Sequence, residues 1–141
     1  MKGSARILLV EDDEWDALVT REALEGAGFV VDHVRDGEAT MAFLRREHPF
    51  EDSPRPAIVL LDLNLPRKDG REVLAEIKAD PTLRRIPVIV LTRSTAPTDI
   101  ERAYDLHANS YLHKPTDPDD YDPLIRAIRG FWVDCAVPAA V

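Results

Sequence analysis

The sequence has a single cysteine, Cys135, among 141 residues. No disulfide can form within the chain, which fits a reducing, cytoplasmic setting. Its apolar runs are only a few residues long, against the ~20 that a membrane-spanning helix requires. The opening residues lack the apolar core of an export signal. Basic residues are outnumbered, 18 against 26, for a net charge of −8. That balance speaks against a general nucleic-acid binder and against docking on an anionic membrane, both of which need a basic face. No glycine-rich loop follows the first strand candidate, so a nucleotide phosphate cradle is not expected. The four histidines, His33, His48, His107 and His113, are scattered without metal-ligand spacing and read as surface residues. What the chain does have is 45% hydrophobic residues, enough to fill the core of one domain of this length.

Those hydrophobic residues are organised. Ile7 to Val10, Ala57 to Leu61 and Val88 to Leu91 are unbroken apolar runs, too short for helices. Strands of that kind are buried on both faces, as in a parallel sheet covered by helices. Phe29 to Val34 and Ser110 to Leu112 are weaker strand candidates. Between them lie helical stripes: Trp15, Leu18, Val19 and Ala23; Ala39, Ala42 and Phe43 behind an Asp36 cap; Val73, Leu74 and Ile77; Ile100 and Ala103; and Leu124, Ile125, Ile128 and Trp132, started near Asp117-Pro118. Gly26 and Gly28 read as a helix end and turn. The order is strand then helix, five times, which predicts a (βα)5 doubly wound α/β domain over residues 5–132 with a loose tail at 133–141.

In such folds ligands bind beyond the carboxyl ends of the strands. Strand one runs into Glu11-Asp12-Asp13-Glu14-Trp15-Asp16, strand three into Asp62-Leu63-Asn64, strand four into Thr92-Arg93-Ser94 and strand five into His113-Lys114-Pro115. Asp13, Glu14 and Asp16 read as solvated acids of a first helical turn, where the helix dipole favours them. Glu11, Asp12 and Asp62 instead converge on one mouth. Their mutual repulsion is relieved by a hard divalent cation, Mg²⁺, for which Mn²⁺ can substitute. A carboxylate, a metal and a cation at one site are what phosphoryl transfer needs, with Lys114 as the cation and Thr92 as a hydroxyl donor.

Leu8 to Asp13, Asp62 to Gly70, Pro87 to Thr92 and Ser110 to Pro115 resemble, in order, the four motifs of the receiver domain of two-component response regulators. The resemblance implies a flavodoxin-like sheet of strand order 2-1-3-4-5. It implies that Asp62 is the phosphoacceptor for a sensor histidine kinase. Asp12 would bind the metal directly and Glu11 through water, with Asn64 supplying its backbone carbonyl. Lys114 would pair with Asp62 and then with the phosphate, and Lys114-Pro115 would be a cis peptide. Thr92 and Tyr111 would be the switch pair, coupling phosphorylation to the face of helix four, strand five and helix five. Asp62 to Gly70, Ala79-Asp80-Pro81, Ala108 to Tyr111 and Phe131-Trp132 further resemble the single-domain regulators partnered with phytochrome-type kinases. That group implies a homodimer through the same face, with Phe131 and Trp132 either in the dimer contact or in the core.

Three positions depart from the family pattern, one of them Lys68, which stands where a methionine is common. Arg93 follows the switch threonine, where a small residue is usual; it would contact or shield the phosphate, or point to solvent. Trp15, behind the acidic pair, would pack on the sheet or cap the site rim. Two other functions compete with the phosphoacceptor. A phosphatase with an aspartate nucleophile would need an acid at the position of Asn64. A pseudo-receiver that works without phosphorylation would be expected to have lost part of the set Asp12, Asp62, Thr92 and Lys114. Six acids, Glu11, Asp12, Asp13, Glu14, Asp16 and Asp62, are expected near one mouth. Without them the chain carries 20 acidic against 18 basic residues, so the acidity is local.

Overall fold

The computed structural model describes residues 5–139. Five parallel strands, β1 (Ala5–Val10), β2 (Phe29–Val34), β3 (Ile58–Leu61), β4 (Val88–Thr92) and β5 (Ser110–His113), form one sheet in the order β2-β1-β3-β4-β5. Five helices connect and cover them: α1 (Glu14–Gly26), α2 (Gly37–Arg45), α3 (Gly70–Ala79), α4 (Pro97–Asp105) and α5 (Tyr121–Arg129). The expected flavodoxin-like order is therefore found.

The unbroken apolar strands are central for a physical reason. Successive side chains of a strand point to opposite faces. Leu8, Val10, Val59, Leu61, Val88 and Val90 meet α2 and α3 on one side. Ile7, Leu9, Ile58, Leu60, Ile89 and Leu91 meet α1 and α5 on the other. The weaker strand candidates, β2 and β5, are the edges, where water replaces one neighbour. No helix among the described residues is long and apolar enough to cross a membrane.

Helix starts follow side-chain caps. Asp13, Asp36 and Asp69 each accept a hydrogen bond from a backbone N–H of the first turn of α1, α2 and α3. The face of α1 differs from the sequence expectation. Ala17, Thr20, Ala23 and Leu24 are buried, whereas Trp15 is 62% and Leu18 49% exposed. Small residues let α1 lie close to the sheet beside Leu24, and Trp15 and Leu18 are turned outward. At the other end, α5 continues as a π-helical segment over Gly130–Cys135, beyond the helix end expected at 132. Trp132 is half-buried against the α1–α5 side of the core, and Phe131 is exposed with its ring edge-on to Trp132.

Lys114-Pro115 is not cis: among the described residues the cis peptide is His48-Pro49. A proline motif does not specify the isomer, because the X–Pro amide prefers trans by only about 0.5–1 kcal/mol and its surroundings decide.

Gly70 opens α3 directly under the β3 loop. Its N–H donates to the Leu63 carbonyl at 3.0 Å. A Cβ placed there would lie 2.5 Å from the Asp62 carbonyl oxygen and 2.6 Å from Leu63 Cα. Both neighbours are backbone, so they cannot rotate aside. Gly70→Ala is expected to lower stability by about 1–3 kcal/mol, as overpacking does, read as a fall in the urea midpoint at unchanged slope.

Candidate functional site

The carboxyl ends of β1, β3, β4 and β5 open on a cleft of about 490 Å³ whose lining includes all six acids of the predicted mouth. Glu11, Asp12 and Asp62 each offer a carboxylate oxygen, and those oxygens lie within 4.8 Å of one another. Glu11 and Asp62 are buried at the strand ends, and Asp12 is exposed at the rim. Oxygen-only donors clustered this closely suit a hard divalent cation that keeps part of its water.

Lys114 enters the cleft from the end of β5. Its Nζ lies 2.6 Å from Glu11 Oε1, 2.9 Å from Asp16 Oδ2 and 2.9 Å from Asp62 Oδ2, so each of its three protons faces a carboxylate. Its backbone N–H donates to the Thr92 carbonyl at 2.8 Å, which fixes β5 against β4 just below the site. Burial alone would push the lysine down, but Glu11, Asp62 and Asp16 outweigh it and hold Lys114 above the ordinary lysine range.

Burial acts on Glu11 in the same way with the opposite result. Removed from water and facing the Asp62 charge, its carboxyl is pushed up to about 7 even with Lys114 beside it. Asp62 Oδ1 accepts the Asn64 N–H at 3.2 Å, so the loop after β3 turns back on the carboxylate. The Asn64 side chain is exposed. Thr92 Oγ1 is buried without a hydrogen-bond partner. A buried hydroxyl without a partner is costly.

Tyr111 is half-buried, and its hydroxyl donates to the Ser94 carbonyl at 2.9 Å. Ser94 Oγ donates to Asp99 Oδ2 at 2.6 Å, and Asp99 Oδ1 accepts from Arg71 of α3 at 2.8 Å. The loop between β4 and α4 is thus tied to both Tyr111 and α3.

Two residues take places that the sequence did not indicate. Asp16 is 3% exposed rather than solvated, and both its oxygens face cations. Arg93 lines the cleft, and its guanidinium grips Asp16 with two nitrogens, Nη2 at 2.8 Å from Oδ1 and Nη1 on Oδ2. The Arg93 guanidinium, with help from Lys114, holds the Asp16 carboxyl below the usual range. The available signal was the spacing of Asp16 with Thr20 and Ala23, which puts it on the buried face of α1. A third departure is His33, whose ring Nε2 lies 2.8 Å from the Glu11 carbonyl oxygen in a half-buried position.

A sheet of this order, with acids at its first and third strand ends and a lysine reaching them from the fifth, has the architecture of a receiver. Residues 7–126 match the response regulator receiver domain family, and the chain belongs to that family. It is 48% identical over 139 residues to Response regulator Rcp1 of Synechocystis sp., covering 95% of this chain and 93% of that protein. Solved structures similar to it include two of phytochrome-type or related response regulators. One is the Mn²⁺-bound form of response regulator Rcp1, with a TM-score of 0.89, 46% identity and coverage of 96% of this chain and 99% of that one. The other is the phosphorylated cyanobacterial phytochrome response regulator RcpA, with a TM-score of 0.92, 45% identity and coverage of 97% and 99%.

Proposed function

We propose that the chain is a phospho-switch in a phytochrome-type light-sensing pathway, with Asp62 accepting a phosphoryl group from a sensor histidine kinase in the cytoplasm. The observation that carries this reading is the buried Lys114 ammonium on Asp62 Oδ2, together with a Thr92 hydroxyl at the end of β4 that has no partner. Both groups are donors set where phosphoryl oxygens would come to rest. The similarity to RcpA, a phytochrome response regulator whose structure is of the phosphorylated form, points to the same pathway.

A carboxylate oxygen of Asp62 attacks phosphorus, the bond to the donor breaks, and the leaving group takes the electron pair. Glu11, Asp12 and Asp62, with the backbone carbonyl of Asn64, would hold Mg²⁺ or Mn²⁺. When bound, the metal neutralises charge on the transferring group. Lys114 moves from Asp62 to the new phosphate, and Thr92 turns its hydroxyl toward it. Tyr111 then gives up its bond to Ser94 and moves inward. The face of α4, β5 and α5 changes packing as a population shift biased by one new charge. That face, extended by Phe131 and Trp132, is the homodimer contact. The domain so described spans residues 5–132 with 133–141 as its tail, and it promotes its own phosphorylation and dephosphorylation without acting on another substrate.

Incubation with Mg²⁺ and acetyl phosphate, followed by an intact mass, is expected to add one phosphoryl group. The gain is expected to vanish in Asp62→Asn and in chelator. Absence of any gain with both acetyl phosphate and a phosphorylated histidine kinase would refute the reading.

A further inference from the structure

Asp16 stands outside the metal-ligand cluster, yet it is as buried as Glu11 and Asp62 and shares their lysine. Its backbone N–H donates to Asp13 Oδ1 at 2.8 Å, so the first turn of α1 fixes its position. Its Oδ2 lies 2.9 Å from Lys114 Nζ and also takes Arg93 Nη1, while Oδ1 takes Arg93 Nη2 at 2.8 Å. One carboxylate therefore divides its charge between two cations, only one of which also touches Asp62.

An acceptor that competes for Lys114 has a consequence for phosphoryl transfer. A buried carboxylate with a single cation holds it strongly, since the low dielectric amplifies the pair. A bidentate guanidinium satisfies both oxygens and spreads the charge. We propose that Arg93 and Asp16 are a positioning pair for Lys114, in which Arg93 neutralises Asp16 and thereby leaves Lys114 free to follow the phosphoryl group. This rests on the phosphoacceptor reading of Asp62 and adds to it the residues that set how tightly its lysine is held.

The pair can be taken apart without emptying the core, because the Arg93 side chain is 61% exposed. Uptake of phosphoryl from acetyl phosphate at saturating Mg²⁺ would be timed by intact mass in wild type, Arg93→Ala, Arg93→Lys, Asp16→Asn and the double variant Asp16→Asn/Arg93→Ala. Arg93→Ala is expected to load about tenfold more slowly, about 1.4 kcal/mol of barrier. Arg93→Lys, which keeps the charge but loses the fork, is expected to fall between the two. The double variant is expected to return to within about threefold of wild type, a rescue that marks coupling between the two sites. A role in stability alone gives no such rescue, and urea midpoints recorded alongside would show it. Equal or faster loading by Arg93→Ala overturns the inference. So does a double variant as slow as Arg93→Ala, which would make Arg93 a direct phosphate ligand. If Asp16→Asn does not fold, Asp16→Ser and Asp16→Ser/Arg93→Ala replace it in the same comparison. Failure of wild type itself to load would count instead against Asp62 as phosphoacceptor.

Discussion

Lys114→Met is expected to lower stability by about 3–5 kcal/mol in chelator near pH 8, the usual effect of removing one partner from a buried charge cluster. Methionine keeps the length and apolar stem of the side chain, so the loss is electrostatic. Three carboxylates within 3 Å of the ammonium, those of Glu11, Asp16 and Asp62, would be left facing one another. Arg93 would still compensate Asp16, so the repulsion falls mainly on Glu11 and Asp62. Saturating Mg²⁺ is expected to recover most of the deficit, since it places two positive charges among the same oxygens. Urea unfolding with and without metal, in both proteins, measures this. A deficit that Mg²⁺ leaves unchanged would mean that the lysine contributes by packing rather than by charge.

The wild-type protein in chelator is expected to lose stability as pH rises through the neutral range, against the common pattern for acidic residues. Glu11 titrates near 7 in the folded chain against an ordinary 4.5. Between those values the folded state holds more protons than the unfolded one, so stability falls with rising pH. From about pH 5.5 to 8.5 the Glu11 contribution drops by about 2 kcal/mol. His33 works in the opposite direction: burial pulls its ring below the ordinary 6.5, which favours the folded state as pH rises through that value. Asp16, Asp80 and Asp99 are shifted downward from 3.8 and act only in more acidic solution. Divalent metal requires ionised Glu11 and Asp62, so metal and proton compete. The Mg²⁺-induced rise in melting temperature should therefore be larger at pH 8 than at pH 6. Since His33 titrates in both conditions, the difference between the metal and chelator curves isolates the acid cluster. A metal effect independent of pH across that interval would contradict a high Glu11 pKa.

The sheet was legible because β1, β3 and β4 each contain an unbroken apolar run, Ile7 to Val10, Ile58 to Leu61 and Val88 to Leu91, a pattern that suits a strand covered on both faces. Asp62 and Thr92 were legible because each directly follows an unbroken apolar run and Lys114 because it follows the last strand candidate, and the topology then brings these strand ends together. The misreadings share another cause. Trp15 and Leu18 outrank Ala17, Ala23 and Thr20 in hydrophobicity, yet a helix lying close over a sheet needs small side chains at the contact. Asp16 and Arg93 carry no local sign of each other, being far apart in sequence, and an acid in a first helical turn has a sufficient local explanation. The Lys114-Pro115 isomer depends on surroundings that no short motif encodes.

None of the four residues of β5 is fully buried, and the strand has a neighbour on one side only. Edge strands of this kind fray first. Lys114, the first residue after it, is nevertheless clamped at its tip to the residues that follow β1 and the central strand β3, and to α1. The reactive centre thus doubles as a rivet for the loosest margin of the sheet. On the proposed reading, phosphorylation of Asp62 would alter the grip on that rivet, and the margin would respond directly through Lys114.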